Sequence, residues 1–268
     1  MVDHARGMCD WKLAPDNRAE ALALAKQLEI APAVARVLAL RGAKEPAAAA
    51  RFLGPELSQL SDPFSLTDMR RAVDRIARAR DNGETVLIFG DYDVDGISGT
   101  ALLFRGLRRY GIQNCLYGMP NRLIEGYGLS PDRVDWAAAQ GVPLLITVDN
   151  GVAAVDAIAR AKERDIDVIV TDHHLIERGL PDAYAVINPK READDHPAAN
   201  LCGSGVAFKL VQALTGEIHD LDLAALATVA DVVPLTGENR VIVATGLAYA
   251  SKIKRAGLAE LSSISKVS

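Results

Sequence analysis

From Glu84 onward the chain alternates between two textures of hydrophobicity. Short apolar runs rich in β-branched residues are followed by longer stretches whose apolar positions recur every three or four residues. The short runs suit strands buried on both faces, and the longer stretches suit helices lying against them. The pattern predicts strands at Glu84–Phe89, Asn114–Tyr117, Pro143–Val148, Asp167–Thr171 and Ala185–Ile187. It predicts helices at Ser98–Tyr110, Pro131–Gln140, Val152–Arg164, Gly205–Thr215 and Leu221–Ala230. Strands and helices alternating at these lengths imply an α/β fold, with a mostly parallel sheet flanked by helices.

Residues 1–80 carry a different, alanine-rich pattern. Helices are expected at Arg18–Leu28 with Asn17 as N-cap, Pro32–Leu40, Pro46–Leu53, and Asp68–Arg80 with Thr67 as N-cap. The segment holds no cluster of reactive side chains and reads as a helical N-terminal extension. The expected organisation is therefore this extension (1–80), an α/β domain (81–250), and a serine-rich tail or linker (251–268).

Composition narrows the function without naming it. At 268 residues and 49% hydrophobic content, the chain can bury a full core. Its 30 Lys+Arg against 35 Asp+Glu give a net charge of −5, so no global basic excess announces nucleic acid. A local basic stripe would suffice for that, and Arg105, Arg108 and Arg109 on one expected helix are candidates, with a solvated helix face as the alternative. Cys9, Cys115 and Cys202 form no CxxC pair and no even framework, which points to a reducing, cytoplasmic setting. No uncharged run reaches the length of a membrane span, so a soluble chain is expected.

The chemistry gathers where three apolar runs end. They end in Gly90-Asp91-Tyr92-Asp93-Val94-Asp95-Gly96, Asp149-Asn150-Gly151 and Asp172-His173-His174. Ligands bind outside the carboxyl ends of strands in open α/β sheets. Three such strands would bring five carboxylates and two imidazoles to one sheet edge. Read as an extended loop, Asp91, Asp93 and Asp95 fall on one side, with Gly96 turning the chain into the helix. Three carboxylates so close repel one another unless cations neutralise them, whereas capping a helix needs only one. Asp149 is placed to bridge two metal ions. One of the paired histidines is expected as a ligand, which favours Mn²⁺ over Mg²⁺, with Asp172 orienting a ring. Asp231 ends an expected helix, and its context alone does not decide between a ligand and an ordinary helix end. Cys202-Gly203-Ser204-Gly205 opens an apolar helix, a place where backbone N–H groups of Gly203, Ser204 and Gly205 cradle a phosphate or merely start a helix. The loop from Asn121 to Gly128 offers Arg122 to a phosphate and Tyr127 to a base, in a context where both are ordinary surface residues. Hydrolysis of a phosphate ester by paired divalent metals is the first hypothesis.

Together these motifs resemble the DHH phosphoesterase family, and within it the exonucleases specific for single-stranded DNA. The likeness also runs through Pro120-Asn121-Arg122, Glu125-Gly126-Tyr127-Gly128-Leu129, Cys202–Lys209, Ala230–Leu235, Glu238-Asn239-Arg240 and the early Trp11. The resemblance implies two Mn²⁺ or Mg²⁺ ions. Asp93 and Asp149 would hold one, and Asp95, Asp149, His173 and Asp231 the other. Asp91 and His174 would lie beside them, Arg122 would meet a substrate phosphate, and Tyr127 would lie near the first nucleotides. It further implies 5′-to-3′ degradation of single-stranded DNA to nucleoside 5′-monophosphates in repair and recombination, with single-strand-binding protein or a helicase as partners. Other activities in the family, on short oligonucleotides or cyclic dinucleotides, are the alternative, as is a nucleic-acid-binding core without turnover. Members of that branch continue into a second domain with a Gly-Gly-His motif. That tripeptide does not occur in this sequence, so 251–268 is expected to lead toward such a domain.

Overall fold

The computed structural model describes residues 12–14, 16–250 and 255–266. Trp11 and Cys9 lie outside them. The chain divides after Gly54 into two compact units. In the first, α1 (Arg18–Leu28), α2 (Pro32–Leu40) and α3 (Pro46–Leu53) match the expected helices. Ala21, Leu24, Ala35, Leu38 and Ala49 form their small core. Asn17 makes no capping bond; its amide donates instead to the Arg36 carbonyl at 3.3 Å.

In the second unit two short 3-10 turns, Leu57–Gln59 and Pro63–Ser65, lead to α4 (Met69–Asp81), whose N-cap is Asp68, while the Thr67 N–H donates to Glu192. Next come β1 (Val86–Gly90), α5 (Val94–Tyr110), β2 (Cys115–Gly118), α6 (Pro131–Ala139), β3 (Leu144–Val148), α7 (Val155–Glu163), β4 (Asp167–Thr171) and β5 (Ala185–Ile187). Four helices follow: α8 (Gly203–Thr215), α9 (Leu221–Ala230), α10 (Gly237–Ala250) and α11 (Ala256–Ser265). The strands form one sheet in the order β2-β1-β3-β4-β5, with every pair parallel. Alternate residues face opposite layers. Val86, Ile88, Leu144, Ile146 and Ile169 share a core with α4, α5, α8 and α9. Leu87, Phe89, Leu145, Val168 and Val170 share another with α6 and α7. Burial on both faces is why these strands read as continuous apolar runs.

Three helix starts differ from expectation by two residues or more, one of them α7, which begins at Val155 rather than Val152. α5 begins at Val94 rather than Ser98, so Asp93 is its N-cap and Asp95 lies in its first turn. The three aspartates are therefore not on one side of an extended loop. Gly96 is inside the helix, and its role is close approach: a Cβ there would lie 2.4 Å from the Asp91 carbonyl oxygen. α8 begins at Gly203 rather than Gly205. α10 was not anticipated, and Gly246 lets it press on α9, since a Cβ would come 2.5 Å from both Ala225 Cβ and the Leu221 carbonyl. The tail is also partly helical: α11 follows Arg255, whose guanidinium pairs with Asp222 and Asp220.

Candidate metal centre

The sheet register brings the acidic residues into line. Gly90 pairs with Val148 and Val148 with Thr171, so Asp91, Asp149 and Asp172 are each the first residue past the paired strands. The ladder runs one step further through them. Asp91 N–H donates to Val148 O at 3.2 Å, Asp149 N–H to Thr171 O at 2.9 Å, and Asp172 N–H to Ile187 O at 3.1 Å. All three are buried.

Asp149 has a left-handed backbone, φ 62°, a conformation aspartate tolerates better than most residues. Its surroundings hold it there. Tyr127 Oη donates to the Asp149 carbonyl at 2.8 Å. The fully buried Asn150 donates its amide to Phe89 O at 3.1 Å and Val148 O at 2.9 Å, tying the ends of β1 and β3.

The donor atoms converge on two adjoining places. His173 Nε2 lies 3.1 Å from Asp149 Oδ1 and 3.8 Å from both Asp95 Oδ2 and Asp231 Oδ2. Asp95, His173 and Asp231 form one group with donor atoms within 4.8 Å of one another; Asp91, Asp93 and Asp149 form a second. A third group, Asp149, His173 and His174, overlaps both places. Four atoms here, Asp91 Oδ1, Asp149 Oδ1, His173 Nε2 and Asp231 Oδ2, are buried without a hydrogen bond. Such orphaned polar atoms are costly, and their convergence from four chain segments fits divalent cations with oxygen and imidazole ligands.

The electrostatics agree. Burial, with the Asp95 and Asp93 charges nearby, pushes the Asp149 carboxyl up to about 10. Burial also raises Asp91 and Asp231, with Asp93 adding to each. Without cations these groups favour the proton, and with cations the charge of the ions replaces it. Asp172 behaves oppositely. Burial would raise it, but the His174 ring, 2.7 Å from Oδ1, and backbone N–H groups of Val152 and His174 carry it below its ordinary value. The same bond raises His174. Asp172 thus orients His174 rather than His173, and Asn188, just past β5, donates to the His174 carbonyl at 3.0 Å.

The Asn121–Gly128 loop covers one side. Tyr127 lies edge-on to Tyr92 and His174, at centroid distances of 6.4 and 5.8 Å. The exposed Arg122 guanidinium sits 5.2 Å above the Tyr92 ring, beside Asp91. Glu125 accepts from Asn121 N–H at 3.1 Å and from Arg133 at 2.8 Å, anchoring the loop to α6.

Two expectations need correction. The N–H groups of Gly203 and Ser204 do not face an open phosphate site: they donate to Asp95 Oδ2 and Oδ1 at 2.7 and 2.8 Å. Gly205 is buried, with Leu201 against it. The anion at the start of α8 is the protein's own carboxylate. Nor do Arg105, Arg108 and Arg109 form an open basic stripe. Arg105 and Arg109 pair with Asp220, and Arg108 donates to Gln113 O. Asn150 belongs to the Asp149-Asn150-Gly151 motif but was given no role there, and Asn188 was missed, although each is a polar residue at or just past a strand end, the signal that marked Asp149 and Asp172.

A parallel α/β sheet with carboxylates and histidines gathered at its carboxyl edge defines the class. Comparison with known proteins agrees, as the model of the DHH family, N-terminal domain, matches residues 85–233. The chain belongs to the DHH family. It is 40% identical over 257 residues to the single-stranded-DNA-specific exonuclease RecJ of Bacillus subtilis, covering 95% of this chain and 33% of that protein. It is 38% identical to RecJ of Escherichia coli over 82% of this chain and 40% of that protein. Among solved structures it is similar to RecJ of Thermus thermophilus in complex with Mn²⁺, with a TM-score of 0.80, 30% identity, and coverage of 96% of this chain and 37% of that one. The chain thus spans about a third to two fifths of the length of the curated relatives it matches. Among the described residues no helix is long and apolar enough to cross a membrane.

Proposed function

We propose that this chain is the catalytic core of a divalent-metal phosphodiesterase that removes nucleoside 5′-monophosphates from the 5′ end of single-stranded DNA. The observation that carries the reading is the convergence of four buried, orphaned donor atoms from Asp91, Asp149, His173 and Asp231. The likeness to RecJ, with one such structure bound to Mn²⁺, supports the metal and the substrate class. In this reading Asp93 and Asp149 hold one ion, and Asp95, Asp149, His173 and Asp231 hold the other. The imidazole favours Mn²⁺, with Mg²⁺ as substitute. Such ions, when bound, neutralise charge on the scissile phosphate and promote in-line attack by water.

The chain's own groups do the rest. His174, held by Asp172 through a 2.7 Å bond, presents a half-exposed imidazole suited to a phosphate oxygen. Arg122 lies on the rim beside Asp91 and offers a guanidinium to the terminal phosphate. Tyr127 offers a ring face to the first base. The domain working this way is taken as residues 81–250, acting in the cytoplasm in DNA repair and recombination, with single-strand-binding protein or a helicase as partners. The test is Mn²⁺-dependent release of nucleotides from 5′-phosphorylated single strands by the 268-residue chain. Release that disappears in Asp149→Ala supports the proposal, and equal release by that variant overturns it.

A further inference from the structure

The Gly203-Ser204 turn, read from sequence as a phosphate cradle, faces inward. Asp95 belongs to α5, yet both its carboxylate oxygens are held by α8, through Gly203 N–H at 2.7 Å and Ser204 N–H at 2.8 Å. Ser204 Oγ adds a bond to the Asp95 backbone carbonyl at 2.7 Å. Asp95, Gly203 and Ser204 are all buried, so water does not compete for these bonds. The Asp95 Oδ2 that accepts from Gly203 also points toward His173 Nε2, 3.8 Å away.

Gly203 touches the other half of the centre as well. A Cβ there would lie 2.5 Å from Asp149 Cβ and 2.7 Å from Asp149 Oδ1. On α5, a Cβ at Gly99 would lie 2.9 Å from Ser204 Oγ and 2.6 Å from Val148 Cγ1, so Gly99 leaves the room that the Ser204 and Val148 side chains fill where α5, α8 and the end of β3 meet. Further along, α8 is fixed by the fully buried Lys209, which donates to Glu238 Oε2 at 3.0 Å and Ser61 O at 2.6 Å.

We propose that the first turn of α8 is a positioning device for the metal centre: Gly203 and Ser204 aim the Asp95 carboxylate at the ion shared with His173 and Asp231, and Gly203 leaves the space in which Asp149 bridges. The N–H pair and the helix dipole draw charge from Asp95, and a ligand carboxylate fixed by hydrogen bonds binds metal without first being reoriented. Neither residue touches substrate. The inference rests on the metal reading above.

The test is Mn²⁺ binding to the metal-free 268-residue chain by calorimetry, with the electron paramagnetic resonance spectrum of bound Mn²⁺ and the metal-free unfolding midpoint recorded alongside. Ser204→Ala keeps the N–H on Asp95 Oδ1 but removes the hydroxyl that ties the Asp95 main chain to α8, so the carboxylate is aimed less firmly. Its Mn²⁺ affinity is expected to fall about tenfold with an altered spectrum. Gly203→Ala is expected to weaken both ions, because its methyl displaces Asp149. A purely structural role would lower the metal-free unfolding midpoint and leave affinity and spectrum unchanged in folded Ser204→Ala. That result overturns the inference, and if Gly203→Ala does not fold, Ser204→Ala alone decides. Failure of the unmodified chain to bind Mn²⁺ would instead overturn the metal reading, and this inference with it.

Discussion

Two clusters of buried aspartates in this protein have opposite fates. At the carboxyl edge of the sheet, Asp149 has carboxylates for neighbours, and its carboxyl is pushed up to about 10. At the start of α9, Asp220 is as buried, yet it sits at about 2: burial would raise it, but Arg109, Arg255 and Arg105 bind it and outweigh that penalty. Arg255 also pairs with the neighbouring Asp222. The chain itself supplies the countercharge in one cluster and leaves it to be supplied in the other. A buried acid surrounded by arginines completes the fold, whereas a buried acid surrounded by acids marks a place for cations.

The sharpest way to break the contrast is to remove one acid from each cluster. Asp149→Asn is expected to lower Mn²⁺-dependent nucleotide release about 1,000-fold, equivalent to about 4 kcal/mol of barrier. In the metal-free protein at neutral pH, the same change is expected to raise the unfolding midpoint by a few degrees, because the raised Asp149 carboxyl must take up a proton on folding and an amide need not. Asp220→Asn should do the reverse. It takes the carboxylate from Arg105 and Arg109 and leaves Arg255 with Asp222 alone, and is expected to cost about 3 kcal/mol in denaturant unfolding, the low end for a broken buried pair because Arg105 and Arg109 are partly exposed. Destabilisation by both changes would erase the distinction.

Cations sharpen it next. Mn²⁺ at about 100 times its dissociation constant is expected to stabilise the protein by about 2.7 kcal/mol, read as a shift in thermal midpoint. Asp149→Asn should abolish most of that shift, and Asp220→Asn should keep it. The smallest expected effect is in acid. The native carboxyl of Asp220 is depressed, so its stabilisation is complete above the unfolded value near 3.8 and is lost as pH falls toward about 2. That loss is worth about 2 kcal/mol, checked by acid unfolding of the metal-free protein followed by circular dichroism. Asp220→Asn should not show it.

The contrast also explains what was legible in the sequence. Asp91, Asp149 and Asp172 were found because each ends a continuous apolar run, and a strand buried on both faces leaves that signature. Helix α5 was begun too late because Gly96 reads as the turn into it, when in the fold it lies inside the helix as a contact point for Asp91. Helix α10 escaped notice because its glycines and β-branched residues favour helix only once packed on α9. Asp231 ends a helix as many surface aspartates do, and only the resemblance to a family singled it out. Gly203 and Ser204 were recognised as anion binders, but local sequence does not reveal that the anion is Asp95, 108 and 109 residues away. The pairing of Asp220 with Arg105, Arg109 and Arg255 was hidden for the same reason, since its partners come from two other segments.

The most direct measurement is a calorimetric titration of the metal-free chain with Mn²⁺ at neutral pH, alongside Asp149→Asn and Asp220→Asn. Two ions per chain for the unmodified protein and for Asp220→Asn, with a reduced number or strongly weakened binding for Asp149→Asn, is the expected result. Equal binding by the unmodified protein and Asp149→Asn, or no binding by the unmodified protein, would contradict the claim that the sheet-edge carboxylates are gathered for cations.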